Sequence, residues 1–197
     1  MKALIMFTIL LAPAIAIGGE KFEWQKFASA DGGFSAVFPG KPKVESGAEN
    51  TKVGDLKYET ATLESTAAVR YSASSMELPK VGGSSPGSDY LKVLRNSRVG
   101  EKWNVVTEGE ITLGKRKVPG YALHIEKDGK HERLRLFLDG GRHYSVSVTG
   151  SKEAVTSKDA DKFLDSFELA IADRVFDISN SPFGSTHQRI VIGTCRR

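Results

Sequence analysis

The sequence predicts an α+β fold: a single domain built on a twisted, mainly antiparallel sheet of about six to seven strands, flanked by two main helices. Three observations predict it. Apolar residues recur at alternate positions through most of Glu20–Leu169. Gly and Pro punctuate that stretch at short intervals, as turns between strands do. Two segments break the alternation and space their apolar residues by three and four, as helices do.

Phe22, Trp24 and Phe27 open a first short strand, and Asp31-Gly32-Gly33 turns the chain. Phe34–Phe38 is a second strand, stopped by Pro39-Gly40, and Lys41–Asn50 reads as polar loop. Leu56–Leu63 alternates, with Leu56 and Tyr58 separated from Ala61 and Leu63 by an apparent bulge. Ala67–Leu78 is its partner strand, with Val69, Tyr71 and Ala73 on one side. Residues 81–87, VGGSSPG, form a flexible loop that ends at Ser88, an N-cap residue. Tyr90, Leu91, Leu94 and Ser97 or Arg98 follow helical spacing until Gly100 stops the run. Asn104–Leu113 is a strand with Val105, Thr107, Gly109 and Ile111 on one side.

Asp128-Gly129 between two extended runs is a two-residue hairpin turn. Pairing Lys127 with Lys130 puts Leu123 opposite Leu134 and Tyr121 opposite Leu136. One face then carries Tyr121, Leu123, Ile125, Leu134, Leu136 and Leu138. The reverse face carries His124, Glu126, His131, Arg133 and Arg135. Reading Asp139-Gly140-Gly141 as a three-residue bulged turn pairs Leu138 with Arg142, Leu136 with Tyr144 and Leu134 with Val146. That register adds Val146 and Val148 to the apolar face and turns His143 toward the polar one. A helix from about Ser157 to Leu169 follows, with the stripe Ala160, Phe163, Leu164 and Phe167, and Thr156 with Asp159 resembles a capping box. Residues 170–197 are a tail; Arg189–Ile192 reads as loop or edge strand.

Residues 1–16 read as a signal peptide: Lys2, an apolar run from Ala3 to Leu11, then the small-x-small site Ala14-Ile15-Ala16. Cleavage near Ala16 leaves about 180 residues, secreted or periplasmic, with no transmembrane segment in the mature chain. Hydrophobic residues at 40% and charged residues at 26% are ordinary globular values, which excludes disorder throughout. The formal charge of +4 is spread along the chain rather than concentrated with interleaved aromatics, so no nucleic-acid partner is expected. Cys195 is the only cysteine, so an exported chain of this kind has no internal disulfide and relies on its core.

Phe34-Ser35-Ala36-Val37-Phe38-Pro39-Gly40-Lys41-Pro42, Tyr121 after Pro119-Gly120, Gly141-Arg142-His143-Tyr144 and Phe163-Leu164-Asp165-Ser166-Phe167 together make a recognisable pattern. It resembles a broad group of small exported bacterial proteins frequent in planctomycetes, and that group is similar in pattern to the PsbP-like fold. The resemblance covers roughly residues 22–169. It implies a PsbP-like domain over residues 20–169, an antiparallel sheet flanked by helices. The matched residues are turn and core positions, so it implies no catalytic or cofactor residue.

The chemistry that the residues carry is sparse. Neither a phosphate loop nor a dinucleotide fingerprint is present, so no cofactor is expected. The glycine- and serine-rich stretches read as turns, and a serine hydrolase elbow is not expected. His124, His131 and His143 fall on three successive strands, with His131 facing Glu126 and His124 facing Arg133. A metal there would meet the repulsion of Arg133 and Arg135, so no metal site is expected. The function expected is an exported, non-enzymatic binding or structural domain of the cell envelope, a monomer whose partner is another envelope protein or an anionic polymer. His124, Glu126, His131, Arg133 and Arg135 are its candidate binding face. The alternative is a hydrolase or metal-dependent enzyme using that same face.

Overall fold

Alternation becomes strand over most of the chain. The computed structural model describes residues 23–31, 33–51, 54–65, 68–78, 89–100 and 102–170. The leader, Ser88, the 81–87 loop and the tail with Cys195 lie outside the described residues. Among the described residues, ten strands and three helices occur in the order β1 (Gln25–Ala28), β2 (Phe34–Phe38), β3 (Lys43–Thr51), β4 (Gly54–Glu64), β5 (Arg70–Glu77), α1 (Asp89–Val99), β6 (Asn104–Leu113), β7 (Val118–Lys127), β8 (Lys130–Asp139), β9 (Arg142–Gly150), α2 (Lys152–Val155), α3 (Lys158–Asp165) and β10 (Glu168–Leu169). Seven strands form the main antiparallel sheet in the order β3-β4-β5-β9-β8-β7-β6, and β1-β2-β10 form a small second sheet. This is the expected single-domain α+β fold. The stretch read as polar loop is instead the edge strand β3, exposed along almost all its length, so no burial pattern marks it.

The sheet is covered on both faces. On one side lies α1, and the cluster beneath it holds Leu91, Val99, Leu123, Ile125, Leu134, Leu136 and Leu138. On the other lie α2, α3 and β2, over a cluster that includes Phe34, Phe38, Phe137, Tyr144, Val146, Val148, Phe163 and Phe167. Each fully buried aliphatic or aromatic side chain in these layers contributes about 1.5–3 kcal/mol. We call the two sides the α1 face and the α3 face.

The β7–β8 register is as expected: Lys127 pairs Lys130, Leu123 pairs Leu134 and Tyr121 pairs Leu136. The next hairpin differs by one residue. Gly140 and Gly141 form a two-residue turn, with φ of 57° and 78°, so Asp139 pairs Arg142, Phe137 pairs Tyr144 and Arg135 pairs Val146. A one-residue shift sends every side chain of a strand to the other face. Tyr144, Val146 and Val148 therefore pack under α3, and His143 turns to the α1 face opposite Leu138.

Two other irregularities move. The break in β4 is not a bulge, since its pairing with β3 and β5 runs without a shift; Ala61 and Leu63 simply belong to the α3 face and Tyr58 to the other. A bulge does occur in β6 between Val105 and Thr107, which separates Val105 from Thr107, Gly109 and Ile111.

The last helix is shorter than its apolar stripe. Ser157, not Thr156, is the N-cap, its Oγ accepting from Ala160 N at 3.2 Å, and Thr156 closes α2 by donating to the Lys152 carbonyl at 2.8 Å. Ser166 ends α3: its Oγ donates to the Phe163 carbonyl at 2.7 Å and accepts from Val37 N at 2.8 Å. The helix thus stops where its end is tied to β2, and Phe167 packs on past it, stacked on Phe34 and Phe137.

Candidate functional site

Alternation along β7 and β8 places His124, Glu126, His131, Arg133 and Arg135 together on the α3 face, as expected. That face is covered by α2 and α3, and the two arginines hold the cover in place. Arg133 Nη1 donates to the Val155 carbonyl and to Asp161 Oδ1, each at 2.8 Å. Arg135 Nη1 donates to the Leu164 carbonyl at 3.0 Å, and its Nη2 donates to Asp165 Oδ1 at 2.5 Å. Val155 and Leu164 lie at the C-terminal ends of α2 and α3, where carbonyls lack helical partners and a cation is favourable. Each guanidinium therefore docks a helix end onto the sheet.

The histidines sit beside this arrangement. His124 Nε2 and His131 Nδ1 are 3.2 Å apart, one imidazole donating to the other. Burial, with smaller contributions from His131, Arg133 and Lys152, holds His124 below the usual histidine range. Glu126 faces His131 in the register, but its carboxylate accepts from Gly129 N at 3.1 Å and Asn104 Nδ2 at 3.2 Å, and these bonds lower its pKa. His143, expected on this face, is not part of it. Its ring is buried on the α1 face, where burial pushes its pKa down to about 4 and Nε2 has no hydrogen-bond partner. Among the described residues, no group of three or more His, Cys, Asp or Glu side chains is placed to hold a metal ion. The spacing Gly-x-Ser-x-Gly does occur once, at Gly83–Gly87, outside the described residues. In the sequence it falls between β5, which ends at Glu77, and α1, which begins at Asp89.

Beside the arginines the α3 face opens into a groove of about 480 Å³ between β6 and α3. Ile111, Leu113, Phe137 and Leu164 line its apolar end; His124, Arg133 and Arg135 line the polar end. Gly109 and Ala122, paired across β6 and β7, leave the floor low. A Cβ built on Gly109 would meet nothing within 4 Å. Sequence reasoning missed these apolar lining residues. The available signal was Gly109 itself, since a glycine inside a strand often marks room for another group's approach.

These features define a class: an α+β domain whose antiparallel sheet carries helices on both faces and an open groove beside an edge strand. No family model matches the chain, and no curated protein matches it. Among solved structures it is similar to cyanobacterial PsbP (CyanoP) from Synechocystis sp. PCC 6803, at 12% identity and a TM-score of 0.48, over 81% of this chain and 98% of that one. It is also similar to PA94 from Pseudomonas aeruginosa, a protein of unknown function, at 12% identity and a TM-score of 0.36, over 56% of this chain and 86% of that one. Among the described residues, no helix is long and apolar enough to cross a membrane.

Proposed function

We propose that this chain is an exported, non-enzymatic binding domain that holds a segment of another envelope protein in the groove between β6 and α3. The observation that carries the reading is the groove's two-ended chemistry. An apolar anchor fits among Ile111, Leu113, Phe137 and Leu164, while donors at its other end are fixed by contacts already made to the helices. Donors held in place beforehand bind at a lower entropic cost. A protein segment fits better than an anionic polymer, because Asp161 and Asp165 already neutralise Arg133 and Arg135. Export is supported by Lys2, the apolar run and Ala14-Ile15-Ala16.

The alternative, a hydrolase or metal-dependent enzyme on His124, Glu126 and His131, has less support. The two imidazoles bond each other, and Glu126 is committed to Gly129 and Asn104.

Capture of partners from an envelope extract tests the proposal. Reversing Arg133 and Arg135 to Glu would release both helix ends, so the discriminating variant is Gly109→Leu, which fills the groove from a position with open space above it. Loss of the protein retained by the wild-type chain supports the reading. Undiminished retention by Gly109→Leu contradicts it.

A further inference from the structure

The β1–β2 turn leaves a second opening on the α3 face, toward the opposite edge of the main sheet from the groove. It is a cavity of about 460 Å³ between Ala30 and Asp31 of that turn and the strands β3, β4 and β5. That volume is within the roughly 300–1,000 Å³ typical of small-ligand sites.

Its floor is a row of polar side chains. Ser46 pairs Glu59 and Glu59 pairs Ser75 across three adjacent strands, and Ser75 pairs Tyr144, which packs on the α3 face. Directly paired residues hold their Cβ atoms about 4.5–5.5 Å apart, so one small group can touch Glu59 and Ser75 together. Glu59 is 6% exposed and Ser75 3% exposed, and both line the cavity.

Neither side chain is fully satisfied. Among the described residues no cation pairs with Glu59, whose two oxygens accept from Ala30 N, each at 3.1 Å. The Ser75 hydroxyl makes no hydrogen bond among the described residues. A buried carboxylate without a cation is costly, and a buried hydroxyl without a partner implies one still to be supplied. The neighbouring charges are already committed. Arg142 donates to Asp31 and, at 3.1 Å, to Glu77; Asp31 also accepts from Ser29 Oγ and Gly33 N, each at 3.0 Å. Setting Arg142 and the exposed Lys57 against Asp31, Glu59 and Glu77 leaves one negative charge in excess in the lining.

The geometry also selects among cations. Equal distances from Ala30 N to both Glu59 oxygens put that N–H in the fork between them, where a guanidinium would bind side-on. An ammonium is a point donor with three N–H groups, and it needs only one free lone pair on either oxygen. We propose that this cavity binds an alkylammonium group, which donates to Glu59 and to the Ser75 hydroxyl.

Titrations followed by the Ala30 amide resonance test this, because that N–H shares the Glu59 carboxylate with the ligand. The probes are n-butylammonium, Nα-acetyl-lysine methylamide, Nα-acetyl-arginine methylamide, n-butanol and calcium chloride. Saturable shifts with the two ammonium compounds, at least about tenfold tighter than with the other three, are the expected result. Tighter binding of the lysine compound assigns a peptide as the source of the group; equal or weaker binding assigns a free amine. Glu59→Gln, which keeps an oxygen for Ala30 N, should weaken n-butylammonium binding at least about tenfold, and Ser75→Ala about threefold. Because the Ser75 hydroxyl bonds nothing, its variant keeps the fold even if the Glu59 variant does not. Gly109→Leu should leave n-butylammonium binding unchanged, which separates this site from the groove. The arginine compound, butanol or calcium binding as tightly as the ammonium compounds, or undiminished binding by Ser75→Ala, would overturn the proposal.

Discussion

Arg98 on α1 and Glu132 on β8 form an ion pair at 2.5 Å that bridges helix and sheet, with the carboxylate side chain 5% exposed and the guanidinium 52% exposed. Glu132 lies in the row of Leu134, Leu136 and Leu138, so its charge is tolerable only while Arg98 stays. Arg98→Met alone should destabilise by about 3 kcal/mol, the lower end for a broken buried pair because the guanidinium is half in solvent. Arg98→Met with Glu132→Leu should come back to within about 1 kcal/mol of wild type. Urea unfolding of both variants measures the difference, and equal losses would show that the carboxylate is not stranded.

Gly120 faces Phe137 across the β7–β8 ladder, and a Cβ there would meet the Phe137 ring and lie 2.5 Å from the Leu136 carbonyl oxygen. That backbone atom cannot yield cheaply. Gly120→Ala should cost about 2–3 kcal/mol despite adding one methyl group. Thermal unfolding checks it; an unchanged midpoint would mean that the strands lie further apart.

His143 makes stability depend on acid. Its pKa falls from 6.5 to about 4 on folding, so the buried ring stays neutral where the unfolded chain's imidazole has taken up a proton. Above pH 6.5 both states are neutral and the residue has no effect. Stability is lost as the pH falls from 6.5 to 4, by about 3 kcal/mol, and the slope ends below that. His124, lowered mainly by burial, adds a slope of the same sign. His143→Phe should flatten the curve over this window in urea titrations at stepped pH. The same acid loss in the variant would contradict the burial of His143.

The two-sided core has a direct consequence. Leu136 is 3% exposed under α1, and Val146 is fully buried under α3. Leu136→Asp and Val146→Asp should each lower stability by about 4 kcal/mol or more, since each buries an unpaired carboxylate. If either variant unfolded like wild type, only one face of the sheet would carry a core.

How much of this was legible depended on whether a local pattern settled each choice. Asp128-Gly129, with φ of 52° and 76°, sits between two clearly alternating runs, so the β7–β8 register followed from turn chemistry. Asp139-Gly140-Gly141 allows a two-residue or a three-residue turn, and only the packing of Tyr144, Val146 and Val148 under α3 selects the first. Exposed β3 has no inside-outside pattern to read. The shared face of His124, Glu126, His131, Arg133 and Arg135 followed from alternation. That the arginines dock helix ends did not, because Val155 and Leu164 are distant in sequence and reach them only through the fold.

The central claim is that a partner protein lies in the groove between β6 and α3. Site-specific photo-crosslinking in the native envelope tests it most directly, with the probe at Thr107, exposed on β6 beside the groove, and separately at Glu45 on the opposite edge strand β3. A single protein captured from Thr107 and absent from Glu45 is the predicted result; the same adducts from both positions, or adducts from Glu45 alone, would contradict it.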